Sequence, residues 1–557
     1  MPMTPQTDLE TVGDAIARHL ADIGVTTAFG VISIHNMPIL DAIARQGRIR
    51  FVPARGEAGA MNMGDAYARV SGSLGVVITS TGTGAGNAAG AQVEALTAGT
   101  PLLHITSQVD RQFMDRDRGA IHDVPRQTDM LQAVSKTCFR LWEARQVHTV
   151  LSAAASAALS APSGPVSLEI PVDVQRETVP ANTQIASPRI LRAPADPDTV
   201  QALAIRIQSA KCPMLWLGGG ARHAADAANA LVARGFAAVT STNGRAVVDE
   251  RHPATLGAFN MTPEAEAIYA QCDLMIVVGS RLRGNETRNN KLKLPTPLVQ
   301  IDADASQGAR NYPVDQFIHA DANAVLTQLL SLLPDDLATD AEFRHSIAIA
   351  RAQSEGVMRD KLGVYRVIAD ALQDRVSSGS HPFVRDVTIS NSTFGNRYVQ
   401  IDHPRHGVHA LGGGIGQGAA MGIGAGLVAG QAKAIVLLGD GGLQLGMAEL
   451  ITAVEENANL VYVLMNDQAY GVIKNIQDAQ YDGRHHYSAL KTPDFSLLCQ
   501  SVGLTHRKVI HESDFAATLD AALSTDGPVL IEVDMCAIGP FAESFAGPPA
   551  GAAGKTK

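Results

Sequence analysis

The segment Ala434–Lys474, AIVLLGDGGLQLGMAELITAVEENANLVYVLMNDQAYGVIK, constrains the fold more than any other. It reads as strand, glycine turn, helix, strand. The first strand is the apolar run Ala434–Leu438. The helix is expected over Gly446–Asn457, with Leu450, Ile451 and Val454 on one face. The second strand is Leu460–Met465. A unit of this length joins two parallel strands by a right-handed crossover. Both strands then end on one sheet edge, and Asp440 and Asp467, each just past a strand, converge where open α/β sheets bind ligands. Such oxygen ligands suit Mg²⁺, which takes one or two protein carboxylates and completes its octahedron with phosphate oxygens and water. Gly439, Gly441 and Gly442 let backbone N–H groups approach those phosphates. The composite reading is a site for a Mg²⁺-bound diphosphate. An ordinary strand-helix-strand unit with polar strand ends is the plainer one.

A second segment, Arg55–Gly72 (RGEAGAMNMGDAYARVSG), opens on a glutamate and continues as a small-residue helix over Ala58–Val70. Ala58, Gly59, Ala60, Gly64, Ala66 and Ala68 leave little bulk beside Glu57. Its carboxyl is therefore expected to be desolvated and harder to ionise. A helix N-terminal carboxylate resting on the macrodipole is the plainer alternative. A strand, Leu74–Thr79, and the small-residue run Thr81–Ala91 follow.

The two segments, in this order and about 380 residues apart, resemble the thiamine diphosphate (ThDP) enzymes of the acetolactate synthase and pyruvate decarboxylase superfamily. FGVISIHNMP (Phe29–Pro38), TGTGAGN (Thr81–Asn87), TPLLHITSQV (Thr100–Val109) and LGGGIGQGAAMGIGA (Leu411–Ala425) extend the likeness over about 450 residues. The resemblance implies an α/β chain of three doubly wound parallel-sheet domains: pyrimidine-binding, central Rossmann-like and diphosphate-binding. It implies ThDP and Mg²⁺ as cofactors, the metal held by Asp440, Asp467 and Ala469. It implies that Glu57 shares a proton with the aminopyrimidine and so promotes loss of the C2 proton. Further cofactor contacts are implied at Asn87, Asn391, Ser392, Gly413, Ile415, Gly439, Gly441, Gly442, Tyr470, Gly471 and Val472. The implied chemistry is C–C cleavage or ligation of small 2-keto acids or 2-hydroxy ketones through a C2-carbanion or enamine. The implied assembly is a homodimer or homotetramer with active sites between subunits.

Departures from the family pattern refine the activity. Ile121 and His122 stand where acetolactate synthases present a Phe and a Gln to the substrate. Val472 and Ile476 replace a Met and a Trp of the second-substrate pocket, and Ile415 replaces the Met that props the cofactor. These changes turn the reading from acetolactate synthase proper toward another lyase or carboligase. NSTFGNR (Asn391–Arg397) resembles 2-hydroxyacyl-CoA lyases, so such a lyase, or an oxalyl-CoA decarboxylase-like enzyme, is the alternative. Arg281, Arg283 and Arg288 are its candidate CoA ligands. His35 falls in a loop where benzaldehyde lyase carries a histidine. His35 and His122 are the proton-transfer candidates, because imidazole titrates near neutrality, and Gln127 is a further polar candidate. Packed or surface histidines are the plainer reading of both. A non-catalytic cofactor-binding relative is disfavoured by Glu57, Asp440 and Asp467 all being present.

Composition bounds the rest. Apolar content of 46% and charged content of 18% describe a well-buried globular chain. A net charge of −10 without a basic cluster argues against nucleic acid and anionic membrane as partners. The five cysteines show no CxxC spacing and read as buried reduced thiols, hence a cytoplasmic location. The first residues lack an apolar signal core. Ala410–Gly430 has no charged residue over a membrane length, but its nine glycines favour a buried loop and helix start. The expected domains are 1–180, 190–335 and 360–545, with a flexible tail at 546–557. Gln175–Asp198 and Leu333–Met358 are expected as linkers. The turn Gly218-Gly219-Gly220 lacks a full GxGxxG and a clear acidic partner, so FAD or ADP in the central domain is possible but not favoured. No internal repeat is visible.

Overall fold

The computed structural model describes residues 8–181, 185 and 187–545; the tail expected at 546–557 lies outside the described residues. Three all-parallel sheets form the framework, with a small antiparallel pair, Leu9–Thr11 with Thr178–Pro180, beside them. The first sheet runs, edge to edge, Arg50–Pro53, Thr27–Gly30, Gly75–Thr79, Leu102–Gln108, Pro165–Pro171, Thr137–Arg140. The third runs Gly407–His409, Phe383–Arg385, Ala434–Gly439, Leu460–Asn466, Val529–Asp534, Thr505–Val509. Counted along the chain, both have the strand order 2-1-3-4-6-5. The central sheet has the order 2-1-3-4-5: Ala237–Thr240, Pro213–Leu217, Leu274–Val278, Leu298–Asp302, Gln316–His319. Parallel strands covered on both faces need only an unbroken apolar run. Many sequences satisfy that, so the two six-stranded sheets repeat a topology without repeating residues.

The chain divides into two compact units. One holds the described residues up to Leu191 together with Leu411–Val428 and Gly446–Ala458; the other holds Arg192–Ala410, Ala429–Leu445 and the described residues from Asn459. In the first unit, helix Glu57–Ser71 packs against helices Thr83–Ala98 and Gly418–Gly426. The approach is close: a Cβ at Gly424 would clash with the Met63 carbonyl. Buried Arg69 bridges Asp65 at 2.6 Å and Glu94 at 2.8 Å. Glu94 also accepts the N–H groups of Leu411 (2.8 Å) and Gly412 (2.6 Å). Buried charges persist only when paired and fully hydrogen-bonded, so this triad ties segment 411–428 to the first sheet's helices. In the second unit, buried Arg245 pairs with Glu250 and donates to the carbonyls of Asn396 (3.1 Å) and Val399 (2.6 Å).

Several sequence expectations change. Leu333–Met358 is no linker: helix Ala341–Leu362 covers most of it and buries Phe343, Ile347 and Ala350 at helical spacing among its charges. The other linker shortens, because Val172–Arg176 is helical, Thr178–Pro180 is a strand and a helix starts at Pro197 capped by Asp196. The helix expected from Gly446 begins at Asp440 and breaks at Met447–Ala448 before Glu449–Glu455. The buried face there is Leu450, Thr452 and Ala453, while Ile451 is exposed. Of the five cysteines, all free, Cys272 and Cys499 are buried and Cys536 is exposed. The glycines of the central turn serve packing: Gly218 and Gly220 donate to the carbonyls of Val278 and Gly279. Arg288 is committed to Glu266 at 2.8 Å and to the Met261 carbonyl, which removes it from the proposed CoA groove. No helix among the described residues is long and apolar enough to cross a membrane.

Candidate active site

In each six-stranded sheet the winding changes direction between the first and third strands, and candidate residues follow strands at or beside this point in both sheets. In the third sheet the reversal lies between Phe383–Arg385 and Ala434–Gly439. Asp440 caps the second of these strands and starts a helix, and Asp467 follows the neighbouring strand Leu460–Asn466. Asp440 is 1% exposed, and its Oδ2 has no partner among the described residues. The Asp467 carboxyl is its acidic neighbour. Burial, and then the neighbouring Asp467 charge, push Asp440 up to about 7; burial also raises Asp467. A buried acid beside a second carboxyl is hard to ionise unless a cation joins them. The surroundings are cut to fit. A Cβ at Gly471 would clash with Asp467 Oδ2, and one at Gly441 would lie 2.7 Å from the Tyr470 ring. Ala469 bridges to Ala489, while Tyr470 N–H donates to Ser488 O and Leu490 N–H to Gln468 O, which fixes the loop carrying the Ala469 carbonyl. Gly439 and Gly442 are buried beneath, and Val472 packs partly into the core. Asn391 and Ser392 open a π-helical turn, Asn391–Gly395. Buried Asn391 keeps Oδ1 unpartnered there. No cluster of three acidic, histidine or cysteine side chains exists among the described residues. A dication at the Asp440–Asp467 pair therefore needs ligands from a bound molecule.

In the first sheet the reversal lies between Thr27–Gly30 and Gly75–Thr79. His35 follows the first of these strands, Glu57 follows the edge strand Arg50–Pro53, and His122 lies in the loop after Leu102–Gln108. Glu57 is the first residue of its helix, and Asn87 Nδ2 donates to its Oε2 at 3.1 Å. A Cβ at Gly84 would sit 3.1 Å from Glu57 Oε1, so this glycine keeps the carboxylate's space open. The sealed apolar niche expected for Glu57 is not found; it is half-buried, because the small residues of its helix face Gly418–Gly426 instead. His35 is 6% exposed, and its ring lies 5.1 Å from that of His122, centroid to centroid. Burial, and then His122, hold His35 below the usual imidazole range. His122 has φ of 65°. Gly82, at φ +60°, must be glycine, since a Cβ there would clash with the His122 carbonyl. Gln127 is fully buried and fully engaged. Its Oε1 accepts from Thr81 (2.9 Å) and Gly82 N–H (2.6 Å), and its Nε2 donates to Ser107 O and Glu169. Gly413, with φ of +81°, and the partly exposed Ile415 belong to the loop held by Glu94.

Known proteins match this arrangement along its length. The thiamine pyrophosphate enzyme models match at residues 10–132 (N-terminal TPP binding domain), 200–329 (central domain) and 388–533 (C-terminal TPP binding domain). A protein of Pseudomonas aeruginosa named as a probable 2-ketoarginine decarboxylase is 31% identical over 96% of this chain and 95% of its own length. The chain belongs to the thiamine diphosphate enzymes of the acetolactate synthase and pyruvate decarboxylase superfamily. Acetolactate synthase large subunits of Haemophilus influenzae and Escherichia coli (isozyme 3) are each 27% identical over 92% of this chain and 92% of theirs. An X-ray structure from Mycobacterium smegmatis, of a protein classed provisionally with the thiamin diphosphate-dependent enzymes, shares the fold. Its TM-score is 0.79 at 24% identity, over 94% of this chain and 99% of that one.

For a ThDP enzyme, the residues present at each of the two sheets, taken separately, fit the cofactor's chemistry. The orphaned, like-charged pair Asp440–Asp467 suits a diphosphate-bound dication, and half-buried Glu57 offers a carboxyl to a ring. The sequence reading missed the Glu94 triad and the Gly82–His122 contact. Both depend on pairs far apart in the chain, and the only local signal was a charged residue inside an apolar helix.

Proposed function

We propose that the protein is a Mg²⁺- and ThDP-dependent C–C lyase or carboligase acting on small 2-keto acids or 2-hydroxy ketones. The observation that carries this reading is the placement of Glu57 with the His35–His122 pair at one sheet reversal and Asp440 with Asp467 at the equivalent reversal of the other. Bound ThDP supplies the electron sink for C–C bond cleavage. The chain's residues do the rest. Asp440, Asp467 and the Ala469 carbonyl hold the cation. Glu57, oriented by Asn87, holds a proton toward the aminopyrimidine. His122 and His35 exchange a proton with the substrate, their rings lying 5.1 Å apart, centroid to centroid. Gln127 touches no opening and acts as a positioning residue for the Thr81–Gly82 turn beneath His122. The departures at Ile121, His122 and Val472 disfavour acetolactate synthase proper. The commitment of Arg288 disfavours a CoA substrate.

A second reading, decarboxylation of a 2-keto acid with a cationic side chain, is favoured by one observation. Asp123, next to His122, has both carboxylate oxygens buried without a partner, and burial followed by the nearby Asp117 and Asp115 charges raises it. A guanidinium or ammonium group would satisfy it. The Pseudomonas relative's name carries such a substrate. Assay of pyruvate, benzoylformate, acyloins, 2-hydroxyacyl-CoAs and 2-ketoarginine, with products followed by mass, tests both readings. Turnover of 2-ketoarginine alone supports the second; turnover of none overturns both.

The chain is further proposed to act as a homodimer or homotetramer in the cytoplasm. Helix Thr83–Ala98 leaves Gly86 and Gly90 open, with no atom within 4 Å of an added Cβ, and Val93 42% exposed. Small and apolar residues on one helix face favour close packing with another chain. Light scattering of active protein checks this; an active monomer contradicts it.

A further inference from the structure

The helix that begins at Glu57 has no cap of its own. Its N-cap is Gly56, which has no side chain to accept the first amides. A carboxylate from elsewhere in the chain instead holds the two residues that lead into the helix. Glu449, 4% exposed, accepts the Arg55 N–H (3.1 Å to Oε1, 3.2 Å to Oε2) and the Gly56 N–H (3.1 Å). The Thr452 hydroxyl donates to Glu449 Oε2 at 2.8 Å and so orients it. Gly59 makes room: an added Cβ there would lie 2.6 Å from the Glu449 carboxyl carbon. The same short helix holds the preceding strand and turn through two more ion pairs, Arg55 with Glu455 and Arg50 with Glu456 (2.5 Å). Two glutamates of this helix and the Glu456 that caps its end thus fix residues 50–56, and the one against the backbone is buried.

We infer that Glu449 is a positioning residue for Glu57: it sets the backbone from which the Glu57 carboxyl is presented to the cofactor ring. The inference rests on the proton-sharing role proposed for Glu57. A buried carboxylate on the amides of the two residues that lead into a helix is a charge-assisted clamp on its entry. Its amide isostere removes the charge and sets an NH2 group in the place of Oε2, which lies 3.2 Å from the Arg55 N–H. In Glu449→Gln the first turn therefore loosens and the Glu57 carboxyl loses its fixed direction. Active-site geometry of this kind is sensitive to displacements on the order of 1 Å.

The test is exchange of the ThDP C2 proton, followed by NMR after deuterium quench in full-length protein saturated with Mg²⁺ and ThDP. Wild type, Glu449→Gln, Gly59→Ala and Glu57→Gln are compared, with ThDP affinity by calorimetry and melting temperature measured on each. Glu449→Gln is expected to bind ThDP within about threefold of wild type and to exchange C2–H about 10 to 100 times more slowly. Gly59→Ala, which pushes the carboxylate away without removing its charge, should slow exchange in the same sense. It also serves if the Gln variant fails to fold. Glu57→Gln sets the floor. Slow exchange in Glu57→Gln with wild-type exchange in both other variants overturns the role of Glu449 alone. Wild-type exchange in Glu57→Gln overturns the reading beneath it. A loss of melting temperature with exchange unchanged at saturation assigns Glu449 to stability only and also overturns the inference.

Discussion

The two six-stranded sheets share one strand order, yet their reversal points hold opposite chemistry. The first sheet presents groups that are paired and partly hydrated: Glu57 with Asn87 at 3.1 Å, and His35 against His122. The third presents buried Asp440 beside half-buried Asp467, two like-charged acids. A parallel sheet supplies only the place, the edge where loops leave the strands. Which loop residues arrive decides the task. On the proposed function, the first sheet's set handles protons and the third sheet's pair of acids holds a cation.

This contrast predicts distinct failures, of which the largest should come from the third sheet. Asp440→Asn removes one of two charges that face the cation while keeping shape. Calorimetry in Mg²⁺ should show ThDP affinity down by a factor on the order of 10² or more, with the apo-protein no less stable than wild type. Wild-type affinity would refute the cation site.

His122→Gln should leave ThDP affinity intact and lower turnover by a factor on the order of 10². Products should shift from protonated aldehyde toward acyloin, because an amide does not deliver a proton at neutral pH. The pH–rate profile should flatten near neutrality. Wild-type turnover with an unchanged profile would return His122 to a packing role.

A smaller effect is expected in pH dependence. A carboxyl raised to about 7 in the fold and near 3.8 when unfolded keeps its proton longer in the folded state. The apo fold therefore loses stability as pH rises from about 4 to about 7. On the proposed function Mg²⁺ takes the proton's place, so the increase in melting temperature on adding Mg²⁺ and ThDP should be larger at pH 8 than at pH 6. Buried His104, held near 3 by desolvation, acts in the opposite direction. The folded state keeps it neutral, so its contribution is complete above about 6.5 and fades as the unfolded chain protonates below that. His104→Gln should flatten the acid side of the stability curve and leave the Mg²⁺ effect unchanged.

Much of this was legible in the sequence where the signal is local. Asp440 and Asp467 were placed by strand ends alone, since a parallel strand read as an apolar run fixes which residue leaves the sheet. Glu57 was placed by its small-residue helix, but its hydration was misjudged, because composition shows which residues are small and not which face they cover. Helix Ala341–Leu362 was read as a linker because Phe343, Ile347 and Ala350 are spaced among charges that hide the period. Glu449 and Glu94 were invisible as clamps, since each acts on backbone amides more than 300 positions away. Hydrogen bonds to the main chain leave no mark in the partner's sequence.

The central claim is a division of labour, with binding at the third sheet and activation at the first. Exchange of the ThDP C2 proton in Glu57→Gln, at saturating Mg²⁺ and ThDP, tests it most directly. The account predicts ThDP affinity within a few-fold of wild type and exchange slower by a factor on the order of 10² to 10⁴. Exchange at the wild-type rate in fully loaded protein would contradict it.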